Sequence, residues 1–328
     1  NGVWIEKQKL LANDGSANDL FGVSVSIEGD VIAIGASHDD DNGADSGAVY
    51  IYSLVNGIWI EQQKLTGSDS AQGDLFGNSV SISERVVGVG AYFKAPANSG
   101  AAYIFTSNNG IWSEQQKLTV DDSHRFGNSI SIDHESVMIG SYTSAFFFSR
   151  VNEIWTEQQE LVPSASKLGD FCGFDLSFNE EVLVISCPLS DIHGSSSGSV
   201  YTYKKLEGIW VEEQLLTSSD GASLHEFGRN VSIDNNIIVV GAPSQSHPFA
   251  SGAIYIFTQD EEGLWAESQQ IKASDAAQVD YFGKGLSIAS NTVLSGAGGD
   301  DDNGINSGSA YFYTLTIDSL SDNCPNIP

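Results

Sequence analysis

Basic residues are scarce in this chain. Fourteen lysines and arginines stand against 43 aspartates and glutamates, a formal net charge of −29 over 328 residues. A field of that sign repels nucleic acid and anionic lipid, which argues against both as partners. It attracts cations, and it keeps copies of the molecule apart in solution. No run of 18 apolar residues occurs, so neither a transmembrane helix nor direct membrane insertion is expected. No stretch sustains a helical period. A Gly-rich phosphate loop, a zinc-spaced Cys/His set and a nucleophile elbow are all missing. The six histidines are scattered. With so many acids a carboxylate pair for glycoside chemistry could be assembled, but nothing singles one out. The chain is therefore expected not to be an enzyme, with a polysaccharide hydrolase or lyase as the remote alternative.

What the chain has is repetition. Trp4, Trp59, Trp112, Trp155, Trp210 and Trp265 each open a run of the type Trp-x-Glu-x-Gln-x-Leu, as in WIEKQKL, WIEQQKL and WSEQQKL. After each come an acidic loop, a Phe-Gly pair, an alternating run, a Gly-Ala pair, a second loop and Ser-Gly-Ala-x-Tyr-Ile-Tyr or a variant of it. In the fourth unit Phe-Gly becomes Cys172-Gly173, and units three and four carry Gly140-Ser141 and Ser186-Cys187 in place of Gly-Ala. A period of roughly 50 residues marks a radial array. Each unit holds four short β-type runs, rich in branched and aromatic residues and bounded by Gly, Asn, Asp and Ser. Four antiparallel strands per unit, repeated radially, make a β-propeller. The sequence predicts an all-β protein with six such blades over residues 1–317 and a tail or linker at 318–328. The chain opens on a fourth-strand run, Trp4 to Leu10, and its last run, Tyr311 to Thr314, is a third strand. The expected closure lets the first run complete the last blade, which pairs edges that would otherwise aggregate.

The Phe-Gly and Gly-Ala markers followed by Ser-Gly-Ala-x-Tyr-Ile-Phe resemble the FG-GAP repeat family, in its W-x-E-Q-Q-K-L variant. The family includes the propeller heads of integrin α subunits and many secreted proteins. The resemblance recurs six times over residues 1 to about 317 and implies a propeller used for extracellular binding. Integrin heads have seven blades, which leaves seven open here beside the six counted. The integrin calcium loop, D-x-D-x-D-G-x-x-D between the first and second strands of a blade, has no counterpart. That connection is a tight turn, as in Ile27-Glu28-Gly29-Asp30.

Two further readings concern cysteine and carboxylate. The Phe of Phe-Gly and the second residue of the Gly-Ala slot stand 15 residues apart in every unit, and in unit four these positions are Cys172 and Cys187. A hairpin between them predicts a disulfide, and with it an oxidising, extracellular or cell-surface location. Cys324 lies in Asp322-Asn323-Cys324-Pro325-Asn326. This segment resembles the opening of a thrombospondin type 3 repeat, which implies a chain continuing past Pro328 and a thiol unpaired or joined to another molecule. The start in mid-repeat likewise reads as a processed product or a piece. Asn230-Val231-Ser232 makes Asn230 a glycosylation candidate. Asp39, Asp41 and Asp45 alternate around Asn42-Gly43, and Asp300, Asp302 and Asn306 match them around Asn303-Gly304. Such oxygen donors suit calcium; Asx turns in solvated loops are the alternative. A second acidic series before Phe-Gly, including Asp14 and Asp19, Asp69 and Asp74, and Asp275 and Asp280, recurs so regularly that a structural task is expected of it. The partners expected are an extracellular protein or glycan, bound through the acidic loop face. Head-to-tail assembly of copies of the chain into a fibre or matrix is the alternative.

Overall fold

The computed structural model describes residues 5–95, 98–121, 125–260, 262–302 and 304–315. They form six antiparallel meanders in chain order, five of four strands and a last one of three. This is the six-bladed propeller expected from the repeat. Blade one comprises Phe21–Glu28, Val31–Ala36, Ala48–Val55 and Ile58–Leu65. Blades two to six occupy residues 79–118, 129–161, 176–216, 230–271 and 282–314.

The sequence of each strand reflects its place in the ring. Second strands such as Val86–Ala91 and Ile237–Ala242 are buried along their whole length, because a neighbouring blade covers each face. Fourth strands such as Ile111–Leu118 mix exposed and buried positions, as befits an outer rim. The outer hairpins turn on residue pairs that both have positive φ, as at Asn56-Gly57 and Asn109-Gly110. That geometry matches the right-handed strand twist and selects Asn-Gly. Every complete blade carries a bulge in its fourth strand, so that Ile51 faces Gln63 but Tyr52 faces Glu61 and Ile104 faces Gln116 but Phe105 faces Glu114.

Adjacent blades meet through three repeated contacts. At the inner end backbone lies on backbone. A Cβ added to Gly35, Gly90, Gly140 or Gly241 would fall 1.9–2.2 Å from the carbonyl oxygen of a glycine in the next blade. Beside them, Ser24, Ser79 and Ser129 donate to the same carbonyls of Gly77, Gly127 and Gly173 at 2.7–3.0 Å. At the rim, the Gln four residues after each Trp grips the next Trp through its main chain. Gln116 Nε2 donates to the Trp155 carbonyl at 2.8 Å and Gln116 Oε1 accepts from its N–H at 2.9 Å. Gln63 does the same to Trp112, Gln159 to Trp210, and Gln214 to Trp265.

The predicted hairpin pairing holds. Phe21 faces Ala36 and Phe282 faces Ala297. At the equivalent place in blade four, Cys172 and Cys187 form a buried disulfide.

One expectation is corrected at the joint between blades six and one. Residues 5–10 are not in a strand, and blade six ends with Ser309–Thr314 as its outermost strand. The segment is held to blade one instead. Gln8 grips Trp59 at 2.7 and 2.9 Å, and Leu10 packs on the core of that blade. The faces that would meet at this joint remain open. Val25 and Ile27 are 59% and 60% exposed, whereas Val80 and Ile82 at the same places in blade two are 9% and 7% exposed. On the other side, Leu294 and Phe312 are 51% and 56% exposed, while Ile51 and Ile104, which match Phe312, are fully covered. Trp4 and the tail at 316–328, with Cys324, lie outside the described residues.

Candidate cation pockets on the loop face

The connection that leads into a blade and the loop between its second and third strands lie on one face of the ring. They meet over a tyrosine of the third strand. In blade one the Tyr50 hydroxyl lies 2.7 Å from Asp14 Oδ1 and 2.9 Å from Asp39 Oδ2. Burial, and then hydrogen bonding to the carboxylates, pushes the Tyr50 phenol far above its ordinary range, so it remains a donor. The fourth strand adds Lys64. Its Nζ stands 2.9, 2.7 and 2.6 Å from oxygens of Asp14, Asp39 and Asp41. Burial would lower the Lys64 pKa, but the carboxylates around it outweigh burial and raise it. A lysine ammonium thus sits among Asp39 and Asp41, two of the three residues of this loop expected to hold a metal, together with Asp14.

The same position has diverged around the ring. In blade two Lys94 replaces the counterpart of Asp39 and lies 2.6 Å from Asp74, while Lys117 reaches Asp69 at 2.7 Å. Burial alone would raise Asp69, but Lys117, Tyr103 and Lys94 hold it down to about 2. Blade five has one acid, Asp220, bound by the neutral amides of Gln245 and Gln270 at 3.0 and 2.9 Å and by Tyr255. Blade four has Ala165 and Leu215 in the acid and lysine places, and blade three has Phe146 for the tyrosine and Glu160 for the lysine. Where two or three carboxylates gather, as in blades one and two, lysine sits among them; the single acid of blade five is held by neutral amides.

Blade six departs from that rule. Asp275, Asp300 and Asp302 place ligand oxygens within 4.8 Å of one another. Tyr311 lies 2.7 Å from Asp275 and 2.9 Å from Asp300, the same arrangement as Tyr50. Among the described residues no lysine reaches the triad. The charge of Asp300, and then of Asp275, raises the Asp302 carboxyl, which is the signature of like charges without a counterion.

The remaining sequence candidates fall elsewhere. The N–H groups of Asp45 and Asn306 close turns by donating to Asp40 and Asp301 at 2.8 and 2.6 Å, and both residues have positive φ. Asp19, Asp74, Asp170 and Asp280 each accept from the N–H three residues earlier, at 2.6–2.8 Å. This is the structural task expected of the second acidic series, carried by these members, while Asp14, Asp69 and Asp275 of the same series face the pockets. Asn230 lines the central channel, 3.5 Å from Asp175. Sequence reading missed Lys64, Lys94 and Lys117 as pocket fillers and the Gln grips. A signal was present in the chain itself, since Lys follows Trp by five residues only in units with acids in the facing loops.

The same face carries a ladder of half-buried rings. Arg125 stacks over Phe93 and Tyr142 at 4.2 and 4.6 Å, and Tyr142 stacks on Phe171 at 4.2 Å.

A family model described as FG-GAP repeat matches residues 4–52, 59–105, 155–203, 210–257 and 265–313, well over half of the chain. The third unit is not among the matched spans, in keeping with its lost tyrosine and shortened loop. A search of curated proteins finds no match.

Proposed function

Since this chain belongs to the FG-GAP repeat family, whose propellers act without catalysis, we propose that it is an extracellular binding or adhesion module that engages a protein or glycan through its loop face, with calcium held in blade six. The observation that carries this reading is the carboxylate triad Asp275, Asp300 and Asp302. Three hard oxygen donors converge there on the exposed face, and such a set suits calcium completed by water or by a partner's own oxygens. The buried disulfide supports an oxidising compartment. No helix among the described residues is long and apolar enough to cross a membrane. On the loops of blades two to four, the Arg125–Tyr142–Phe171 ladder supplies residue types that dominate binding energy at interfaces.

Calorimetric titration of chelator-stripped protein with CaCl2 tests the metal. The expected outcome is one site, abolished in Asp300→Asn. The immobilised protein is then offered matrix glycoproteins and polysaccharides in calcium and in EDTA. Retention in calcium alone, lost in Asp300→Asn, supports the reading. Absence of a calcium heat together with equal retention in both buffers would overturn it.

A further inference from the structure

Around the mouth of the central channel the sign of the surface reverses. The residue that follows each Phe-Gly or Cys-Gly pair lines this mouth, and the series reads Val23, Asn78, Asn128, Phe174, Arg229 and Lys284. No member is acidic, in a chain of net charge −29. Blades five and six, which are neighbours, each contribute a cation. The Arg125–Tyr142–Phe171 ladder runs into the same crescent. Tyr142 lies 6.5 Å from Phe174, and the Arg229 guanidinium stands over Phe174 at 4.4 Å. The other lysines placed on this face, Lys64, Lys94 and Lys117, are all held by aspartates. Arg229 has Glu226 at 3.6 Å. Among the described residues no carboxylate pairs with Arg125 or Lys284.

What this crescent offers to solvent is positive throughout. Tyr142 takes both the Arg125 guanidinium, at 4.6 Å, and the Phe171 ring, at 4.2 Å. Two groups so close to one ring centre use both of its faces. Arg125 also lies over Phe93 at 4.2 Å. The rings are half-buried, so ring edges and N–H groups are what remain for a ligand. Aromatic edges carry the positive end of the ring quadrupole. A guanidinium stacked on a ring keeps in-plane donors for the fork that a carboxylate fits. Arg125 spends one of them on the Tyr142 hydroxyl at 2.8 Å.

We propose that the channel mouth docks a short acidic segment of a partner protein, with its carboxylates on Arg125, Arg229 and Lys284 and its aliphatic parts on the edges of Tyr142, Phe171 and Phe174. This narrows the partner class within the binding reading above, and it rests on that reading only for the choice of the loop face. Charge complementarity selects the occupant. A neutral glycan stacks on an open ring face, whereas here guanidinium groups and Phe171 lie on the ring faces. A long sulfated glycan would run past three cations onto the carboxylates of the outer pockets, such as Asp69 and Asp275. A short peptide stays inside the crescent. At physiological salt, charges farther than about 8 Å are largely screened, so the net charge of the molecule does not cancel these local contacts.

Fluorescence anisotropy of a rhodamine-labelled hexaglutamate peptide, at physiological salt in EDTA, tests the site. Saturable binding is expected, and none for labelled hexaglutamine. Arg125→Gln and Lys284→Gln should each weaken binding about tenfold, the loss of one hydrogen bond to a charged group. Lys284 is exposed, so its replacement reads ligand contact rather than folding. Arg85→Gln, at a hairpin on the opposite face, should change nothing. Equal binding of hexaglutamine would overturn the proposal, as would no binding of hexaglutamate or an affinity indifferent to both substitutions. A heparin oligosaccharide that binds where hexaglutamate does not would give the mouth to a glycan, with the same result. The calcium test above fails or succeeds separately. Calcium-dependent retention of matrix ligands without hexaglutamate binding would sink this proposal alone. Hexaglutamate binding without a calcium heat, and with equal retention in both buffers, would sink the earlier reading and leave the acidic partner standing.

Discussion

Lys64 shows how much a single residue decides on this face. Its ammonium bridges three carboxylates whose arrangement otherwise repeats in blade six. Replacing it with glutamine keeps much of its bulk and removes the charge. Lys64→Gln should destabilise the protein by about 1–3 kcal/mol, as expected when a buried charged partner is withdrawn. It should also raise the calcium stoichiometry by one, as Asp14, Asp39 and Asp41 become a copy of the blade-six triad. Urea denaturation and calorimetry read the two effects separately; unchanged stoichiometry would show that three carboxylates beneath a tyrosine are not enough. Asp39 and Asp41 were legible in the sequence as alternating acids around Asn-Gly, whereas Asp14 was read with the second, structural series. The lysine was not legible, because it arrives from the far end of a strand whose pattern reads as rim packing. Asp45 and Asn306 share the spacing, but their N–H groups close turns on Asp40 and Asp301, a task that spacing alone does not reveal.

Strands were the most readable level. Paired Phe and Ala positions 15 residues apart revealed a covalent link in blade four, because the other units supplied the register against which two cysteines could be aligned. The Gln grips escaped notice, since in Trp-x-Glu-Gln-Gln two adjacent glutamines look equivalent. The bulge separates their tasks. Gln63 faces the next blade and Gln62 faces solvent. Gln116→Ala, which breaks both bonds to Trp155, is expected to cost about 1–3 kcal/mol, while Gln62→Ala should stay within about 0.5 kcal/mol of the parent. Thermal melts of the two variants suffice, and equal shifts would mean that the grip adds nothing to blade packing. The failed expectation at the first strand belongs here as well. A run with strand composition forms a strand only where an edge accepts it, and in this structure residues 5–10 are anchored to blade one instead.

At the scale of the whole molecule, six inner strands surround one channel lined by Ser24, Asn78, Asn128, Asp175, Asn230 and Lys284 among others. Asp175 replaces the serine that bridges blades elsewhere. Loss of solvent around it raises its carboxyl to about 6, despite bonds from the N–H groups of Val231 and Leu176. Between the ordinary aspartate value and 6 the folded state holds the extra proton, so stability falls as pH rises through that window and the full cost is present above it. Asp175→Ser should therefore stabilise the protein at pH 7.5 by no more than about 3 kcal/mol, since channel water screens part of the charge, and should do less at pH 4.5. Urea midpoints at the two pH values measure this; a gain independent of pH would assign the effect to packing instead.

The main-chain contacts at the inner end of the blades bear on how such a molecule can change over time. At the glycine joints the distance between neighbouring blades is set by one peptide unit touching another, with no side chain between them. Side chains farther out are thereby released from the task of setting curvature. Blade three has shed its tyrosine and blade four its pocket acid without leaving the circle. A lineage built this way can rewrite its outward surface one unit at a time, trying new partners, while the hub stays constant.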